Sequence, residues 1–318
     1  MTTYIFRRLI TGVITLLIVT LLIFLMLRLL PGDPIFMYLS TDEYRENTEE
    51  TIEQLRHEFG LDKPLMAQYV DWLSGIIHGD FGVSIVNDTS VIDMIGKRIP
   101  ISLHLGGMAL IVSLVIGIPS GIICATKRGK WLDTVITVLA NVGVTMPVFW
   151  LGVLLIYLFG LHLKWLPIYG YTSPFDNFLL STRQSIMPII CLSIFTIASI
   201  ARQTRSSMLE VLRQDYVRTA WSKGLTERTV ITKHALKNSL IPVVTLVGLS
   251  VSHIIGGQVL VETVFAIPGM GRLLVGNILS HDYPVVQGVI LVVSAAVVLV
   301  NLAVDISYSW INPQIRYE

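Results

Sequence analysis

RQTRSSMLEVLRQDYVRTAWSKGLTERTVITKHALK, residues 202–237, decides how the rest of the chain is arranged. It carries eight Lys/Arg, at positions 202, 205, 213, 218, 223, 228, 233 and 237, against three acids, Glu210, Asp215 and Glu227. It lies between two apolar runs, and its residues favour helices. A long cationic helical loop inside an otherwise apolar chain fixes which loops face the cytosol. It also offers a surface to a soluble partner.

The flanking sequence is that of a membrane protein. The chain has 318 residues, of which 53% are apolar and 14% charged. Soluble domains carry about 25% charged residues. Net charge is +1, so nothing favours nucleic acid as a partner, and only the placement of charge is informative. Cys124 and Cys191 have no metal or redox spacing. They are expected near the cytosolic end of one span and in the outer half of another, too far apart for a bridge.

A spanning helix needs about 20 mostly apolar residues. Six runs qualify, about 9–30, 101–124, 134–161, 186–204, 239–261 and 284–307. The first follows Arg7-Arg8 but is too long for a signal peptide, and no small-residue cleavage site follows it, so it is expected to be retained. The fourth has Pro188 near its start and Arg202 and Arg205 near its end, and is expected to run on toward Leu212. One set of loops comprises the N-terminus, Lys127/Arg128/Lys130, residues 202–237 and the C-terminus. With Asp133 and Asp305 at the span ends, this set holds fourteen of the 23 Lys/Arg but six of the 22 Asp/Glu. The positive-inside rule makes it cytosolic, with both termini inside. The expected architecture is an all-α integral membrane protein with six transmembrane helices. Residues 1–30 form the N-terminus and first span, 31–100 a small helical extracytoplasmic cap, and 101–318 a five-helix core with a cytosolic loop at 205–237.

In the cap, residues 47–59 read as a helix capped by Asn47 or Thr48 and stopped by Gly60. Residues 65–77 read as a second, amphipathic helix with Tyr69 and Trp72 placed for the membrane interface. Within the spans, Arg28, Asp133 and Asp305 lie close to ends, where side chains reach the interface. No chain of buried acids is present to couple transport to protons, so the energy for transport must come from a partner. His104 and His253 either line a polar path, ligate a metal or bond to a neighbouring helix. Gly117/Gly121 and Gly248/Ser252/Gly256 are small-xxx-small steps that let helices approach, and Gly256-Gly257 could also line the path or form a hinge. Pro119, Pro147 and Pro242 are expected to interrupt spans two, three and five.

The loop itself reads as helix, turn, helix. Asp215 is expected to cap a short helix from Tyr216 to Lys223, with Thr219-Ala220 as small contact residues. Gly224 ends it in a left-handed cap, and residues 227–237 begin a helix leading into Ile241-Pro242. This stretch resembles the Glu-Ala-Ala loop of permease subunits of bacterial ATP-binding-cassette importers. Gly224 stands at the signature glycine, four residues after Ala220, and Arg218-Thr219-Ala220 replace Glu-Ala-Ala. The proline of the family's Ile-x-Leu-Pro tail is absent from His234-Ala235-Leu236-Lys237. These departures are similar to the variant of peptide and nickel permeases, matched at Asp215-Tyr216, Ala220, Lys223-Gly224, His234, Leu236, Lys237 and Asn238. Pro31-Gly32-Asp33-Pro34, Leu61-Asp62-Lys63-Pro64-Leu65, Gly79-Asp80-Phe81-Gly82 and Trp165-Leu166-Pro167 extend the resemblance. So do Glu262 with Phe265, Pro268-Gly269-Met270-Gly271-Arg272, Asp282-Tyr283-Pro284 with Gln287, and Asn312-Pro313. The likeness covers nearly the whole chain, and fits the member of the permease pair with the long first external loop.

The resemblance implies a multi-pass bacterial inner-membrane subunit that forms half of a substrate pathway. It implies a homologous second permease, two cytosolic ATPases that bind ATP and Mg, and an extracytoplasmic binding protein. The coupling residues it implies are Asp215, Tyr216, Arg218, Thr219, Ala220, Lys223, Gly224, His234, Leu236 and Asn238. Peptide is the implied cargo, with nickel or a metal chelate as the alternative. The basic block would also contact anionic lipid. The residues show no nucleotide motif of their own, since neither Gly96-Lys97 nor Gly129-Lys130 completes a phosphate loop. There is no Gly-x-Ser-x-Gly elbow, and His57-Glu58 lacks the second His of a zinc protease. A transport subunit without a catalytic site, cofactor or metal is therefore expected, with a self-powered channel or carrier as the rival of another class.

Overall fold

The computed structural model describes residues 2–29, 49–58 and 60–311. Pro31-Gly32-Asp33-Pro34, the expected caps Asn47 and Thr48, and Asn312-Pro313 lie outside them. The helices are α1 (Thr2–Leu29), α2 (Glu49–Glu58), α3 (Leu65–Ile77), α4 (Val91–Thr126), α5 (Trp131–Thr145), α6 (Val148–Leu155) and α7 (Phe178–Val211). There follow α8 (Asp215–Ser222), α9 (Glu227–Thr229), α10 (Leu236–Ser239), α11 (Ile241–Val264), α12 (Met270–Leu279) and α13 (Tyr283–Ile311). π-helical turns at Ile156–His162 and Val230–Ala235 continue α6 and α9. Among the described residues, five helices are long and apolar enough to cross a membrane, and the bent pair α5–α6 makes a sixth when counted as one span.

The three expected proline interruptions have three outcomes. Pro147 breaks its span outright: α5 and the helix from Val148 to His162 meet at 107°. Proline has no N–H and drives the residue before it out of the helical region. Met146 accordingly sits at φ −80, ψ 123. Pro242 breaks nothing, because it lies in the first turn of α11, where its missing N–H would have had no partner. Pro119 lies inside α4, which runs on to Thr126. Two helices are longer than expected. α4 begins at Val91, and α7 begins at Phe178, where the Asn177 Oδ1 accepts the Leu180 N–H at 3.0 Å. As expected, α7 continues past Arg202 and Arg205.

The chain divides into two compact units, Phe6–Ser102 with Pro268–Ala296, and Met1–Ile5 with Leu103–Ile267 and Val297–Glu318. In the first unit, Val91 and Ile95 of α4, Met270 and Leu273 of α12, and Val285 and Val289 of α13 form one core. The Gly60 turn ends α2 as read from sequence. Gly60 has φ +63, its N–H donates to the His57 carbonyl, and the Leu61 N–H donates to the Arg56 carbonyl, a Schellman closure. α3 has the expected bounds. Tyr69 turns toward α1 rather than away, with its hydroxyl 3.0 Å from Thr20 Oγ1 and its ring against Phe24. Asp282 is fully buried and accepts from the Ser84 hydroxyl and the Ile85 N–H. The sequence Asp282-Tyr283-Pro284 thus anchors the loop that follows Gly82.

In the second unit, α4 and α7 approach so closely that side chains are excluded. A Cβ on Gly121 would lie 2.5 Å from Thr204 Cβ and 2.6 Å from the Ala201 carbonyl oxygen, and one on Gly117 would lie 2.9 Å from Ile200. Such small-residue contacts are how helices pack where lipid removes the hydrophobic drive. Gly248 plays the same part against Val304 of α13. Cys124 and Cys191 are both buried and free.

Candidate functional site

The basic loop folds as a short helix held on its apolar side. α8 has the period its length requires, with Val217 and Ala220 buried three residues apart. They pack with Val230, Val211, Leu212 and Leu225. Val211 and Leu212 also join a second cluster, made of Ala125, Met208 and Ala235 with Leu236 and Ile231. The end of α7 therefore supports α8 on one side and the π-helical turn leading to α10 and α11 on another. Apolar burial at about 25 cal/mol per Å² is what fixes so short a helix.

The start of α8 differs from expectation. Gln214 occupies the cap position with φ −71, ψ 148 and no capping side-chain bond, and Asp215 is the first helical residue. There the Asp215 carboxylate favours the positive helix end and faces Arg218 at 3.5 Å, both side chains well exposed. Such an exposed pair contributes little. Thr219 lies on the exposed side, where its hydroxyl donates to the Asp215 carbonyl at 2.9 Å, so Ala220 alone is the small contact residue. The end is as expected. Gly224 has φ +76, and its N–H donates to the Trp221 carbonyl at 2.9 Å. A Cβ there would meet no atom within 4 Å, so glycine answers to the backbone angle and not to crowding.

One bond joins the two halves of the hairpin. Asn238 Nδ2 donates to the Tyr216 hydroxyl at 2.8 Å, bringing together residues 22 apart in sequence. Leu236 packs into the cluster with Ala125 and Met208, and His234 is half-buried beside it. Arg218, Lys223, Gly224, Tyr216 and Trp221 remain exposed, the two aromatic rings at 42% and 44%. The outward face of α8 thus combines two aromatic rings with two cations, a composition suited to a protein partner.

The residues considered for a pathway are not brought together by any described contact. His104 Nδ1 lies 3.0 Å from the Tyr171 hydroxyl. His253 stacks on Phe195 with centroids 4.0 Å apart. A Cβ on Gly257 would touch Leu192 at 3.6 Å, whereas one on Gly256 would meet nothing within 4 Å, so Gly256 is not part of the packing step. Each histidine has a neighbour on a different element, a hydrogen-bonding hydroxyl for His104 and a stacked ring for His253.

One pair escaped the sequence reading. Asp133 lies in the first turn of α5, and its side chain is 8% exposed and held by Arg205. Arg205 Nε donates to Oδ1 at 2.8 Å and Nη2 to Oδ2 at 2.9 Å, and the Gly129 N–H donates to Oδ2 at 3.0 Å. This forked geometry is the strong form of an ion pair. It ties the 127–130 turn and the first turn of α5 to α7, six residues before α7 ends. The available signal was an acid one turn into an apolar run and an arginine near the same end of another.

Together these features define a polytopic helical membrane subunit with a rigid basic hairpin set between two of its spans. Residues 117–317 match the family described as binding-protein-dependent transport system inner membrane component, and residues 1–106 match the N-terminal region of such membrane components. The chain belongs to this family and is a multi-pass permease subunit of a bacterial inner membrane. A putative peptide transport system permease protein of Brucella abortus is 41% identical over 318 residues, covering 100% of both chains. A probable peptide ABC transporter permease protein of Sinorhizobium fredii is 40% identical over 314 residues, covering 99% of each. The dipeptide transport system permease protein DppB of Escherichia coli K12 is 39% identical over 338 residues, again covering 99% of each. Among solved structures, an inward-facing MetNI methionine ABC transporter chain matches with TM-score 0.58 at 18% identity, over 70% of this chain and 97% of that one. This last likeness concerns the fold alone.

Proposed function

We propose that this chain forms half of the pathway of a peptide importer and that α8 is the element through which partner ATPases drive it. The observation that carries this reading is the mounting of α8. Its buried face is packed on the end of α7 and on the helical run into α11, while Tyr216, Arg218, Trp221 and Lys223 face outward. A soluble partner gripping that face would move two spans directly. ATP can shift the permease only through contacts that differ between its two states, and α8 with Gly224 offers them.

On this reading the hairpin and both termini are cytosolic. The assembly contains a homologous second permease, two cytosolic ATPases and an extracytoplasmic binding protein, with anionic lipid around the basic block. The domain division at residues 30 and 100, and Asp215, Thr219, Ala220, His234, Leu236 and Asn238 as supports of the docking face, belong to the same proposal. Peptide is the proposed cargo because the full-length relatives are named for peptide and dipeptide transport. The test is affinity purification of the chain from its native membrane, followed by peptide uptake in vesicles with the co-purified subunits. The proposal expects ATPase subunits in the eluate and ATP-dependent peptide uptake. Uphill transport by this chain alone, or an eluate without ATPases, would overturn it.

A further inference from the structure

A cavity of about 310 Å³ lies wholly within the first unit, among α1, α3, the turn after α2 and the start of α13. Its wall carries four buried polar atoms that have no hydrogen-bond partner among the described residues: Arg28 Nε, Trp72 Nε1, Gln287 Nε2 and Gln68 Oε1. Three of the four are donors. Gln68 is orientated by its own amide, since Nε2 donates to the Lys63 carbonyl at 2.7 Å and to the Leu61 carbonyl at 3.2 Å. Unpaired buried polar atoms are uncommon in proteins, and this concentration in one cavity points to an absent occupant.

The charge around the cavity is unbalanced. Lys63 is paired with Asp71 at 2.7 Å. Among the described residues, Arg28 has rings against its cation, Phe24 at 5.3 Å and Tyr283 at 5.0 Å from their centroids. A guanidinium whose Nε is buried and unbonded is costly unless an anion meets it. An indole N–H and a primary amide N–H donate but do not compete for the charge. Arginine with two neutral donors on an aromatic wall suits a planar or tetrahedral oxyanion.

We propose that this cavity is a binding site for a single oxyanion group, either a free carboxylate or phosphate solute or the phosphate of a lipid headgroup. Arg28, Trp72 Nε1 and Gln287 Nε2 would be its donors. Arg28 lies one residue before the end of the apolar span α1, a depth at which both sources are available. The site is independent of α8, so it stands or falls apart from the coupling proposal.

The full chain in detergent, titrated with inorganic phosphate and with acetate against chloride at constant ionic strength, tests the solute source through melting temperature and tryptophan fluorescence. Native mass spectrometry after detergent exchange from phosphatidylglycerol nanodiscs tests the lipid source. The expected result is saturable stabilisation by one of the anions, or one retained phospholipid. R28M should weaken either by about tenfold or more, as loss of a charge-assisted bond requires. W72F replaces the indole with a smaller phenyl and so removes the N–H donor together with some wall volume; it should weaken binding several-fold, with the melting temperature of the anion-free protein read alongside to separate lost packing from the lost donor. If R28M does not fold, W72F carries the test. Neither anion saturating and no lipid retained, or wild-type binding by W72F, would overturn the site and leave a cavity filled by water alone.

Discussion

The α4–α7 seam and the outward face of α8 sit close together in the chain and are built on opposite principles. At the seam, Gly121 lies against Thr204 and the Ala201 carbonyl with no room for a methyl group, and next to it, where α5 begins, Asp133 is buried under a forked arginine of α7. On α8, Gly224 has open space around it, and the polar and aromatic residues point away from the packed side. The seam is specified by volume and by one ion pair. α8 is specified by a backbone angle and a buried apolar edge, with its chemistry left free. Changes at the seam should therefore cost stability first, and changes on α8 should cost coupling first.

The largest expected effect on stability is at the seam. G121V places a Cβ carrying two methyl groups against a backbone carbonyl that cannot retreat. Overpacking of this kind costs roughly 3 kcal/mol and should show as loss of folded protein from the membrane or a strongly lowered melting temperature. Wild-type stability would mean the two helices are not in contact there. D133N comes next. It leaves Arg205 and the Gly129 N–H with a neutral partner and should cost about 2 kcal/mol, the range for hydrogen bonds to charged groups. R205K should retain part of that, because a lysine keeps the charge but not the fork.

Gly224 sharpens the contrast. G224V forces a β-branched residue into φ +76 but meets no neighbour, so its stability cost is about 1 kcal/mol. Its functional cost should be the largest of the set: peptide uptake lost, with the ATPases of the assembled complex hydrolysing ATP unproductively or failing to assemble. The smallest effect belongs to Y216F, which removes the acceptor for Asn238 Nδ2 at an exposed position. It should cost about 0.5 kcal/mol and lower the coupling ratio without abolishing uptake. If Y216F or G224V destabilised the protein as much as G121V, the division between seam and docking face would be wrong.

Much of this was legible in the residues themselves. The spans follow from apolar run length, α3 from the spacing of Leu65, Tyr69, Trp72 and Leu73, and the left-handed turns from Gly60 and Gly224. These signals are local, and the backbone answers to them locally. What sequence left open was set by partners distant in the chain. The three prolines look alike in sequence, yet their effects differ with position in the helix. Pro147 breaks its span because Met146 is pushed out of helix at mid-span, whereas Pro242 falls where no bond is lost. Asp133 reads as an acid near a span end, and its partner Arg205, 72 residues away, is visible only in the fold. The π-helical turns at Ile156–His162 and Val230–Ala235 have no signature in composition. On the candidate site, the residues were legible, but the inward turn of Ala220 and the outward turn of Thr219 required the packed α8.

The most direct measurement is nucleotide-dependent cross-linking of α8 to an ATPase. Lys223 is exposed, and both native cysteines are buried, so K223C gives this chain one exposed thiol, and the same complex without K223C is the control for thiols of the partner subunits. The account predicts a cross-link to an ATPase subunit whose yield changes between the nucleotide-free and ATP-bound complex and which arrests uptake when formed. A thiol at 223 that reacts with an impermeant reagent from outside the cell, or that never cross-links to an ATPase in a complex active for uptake, would contradict it.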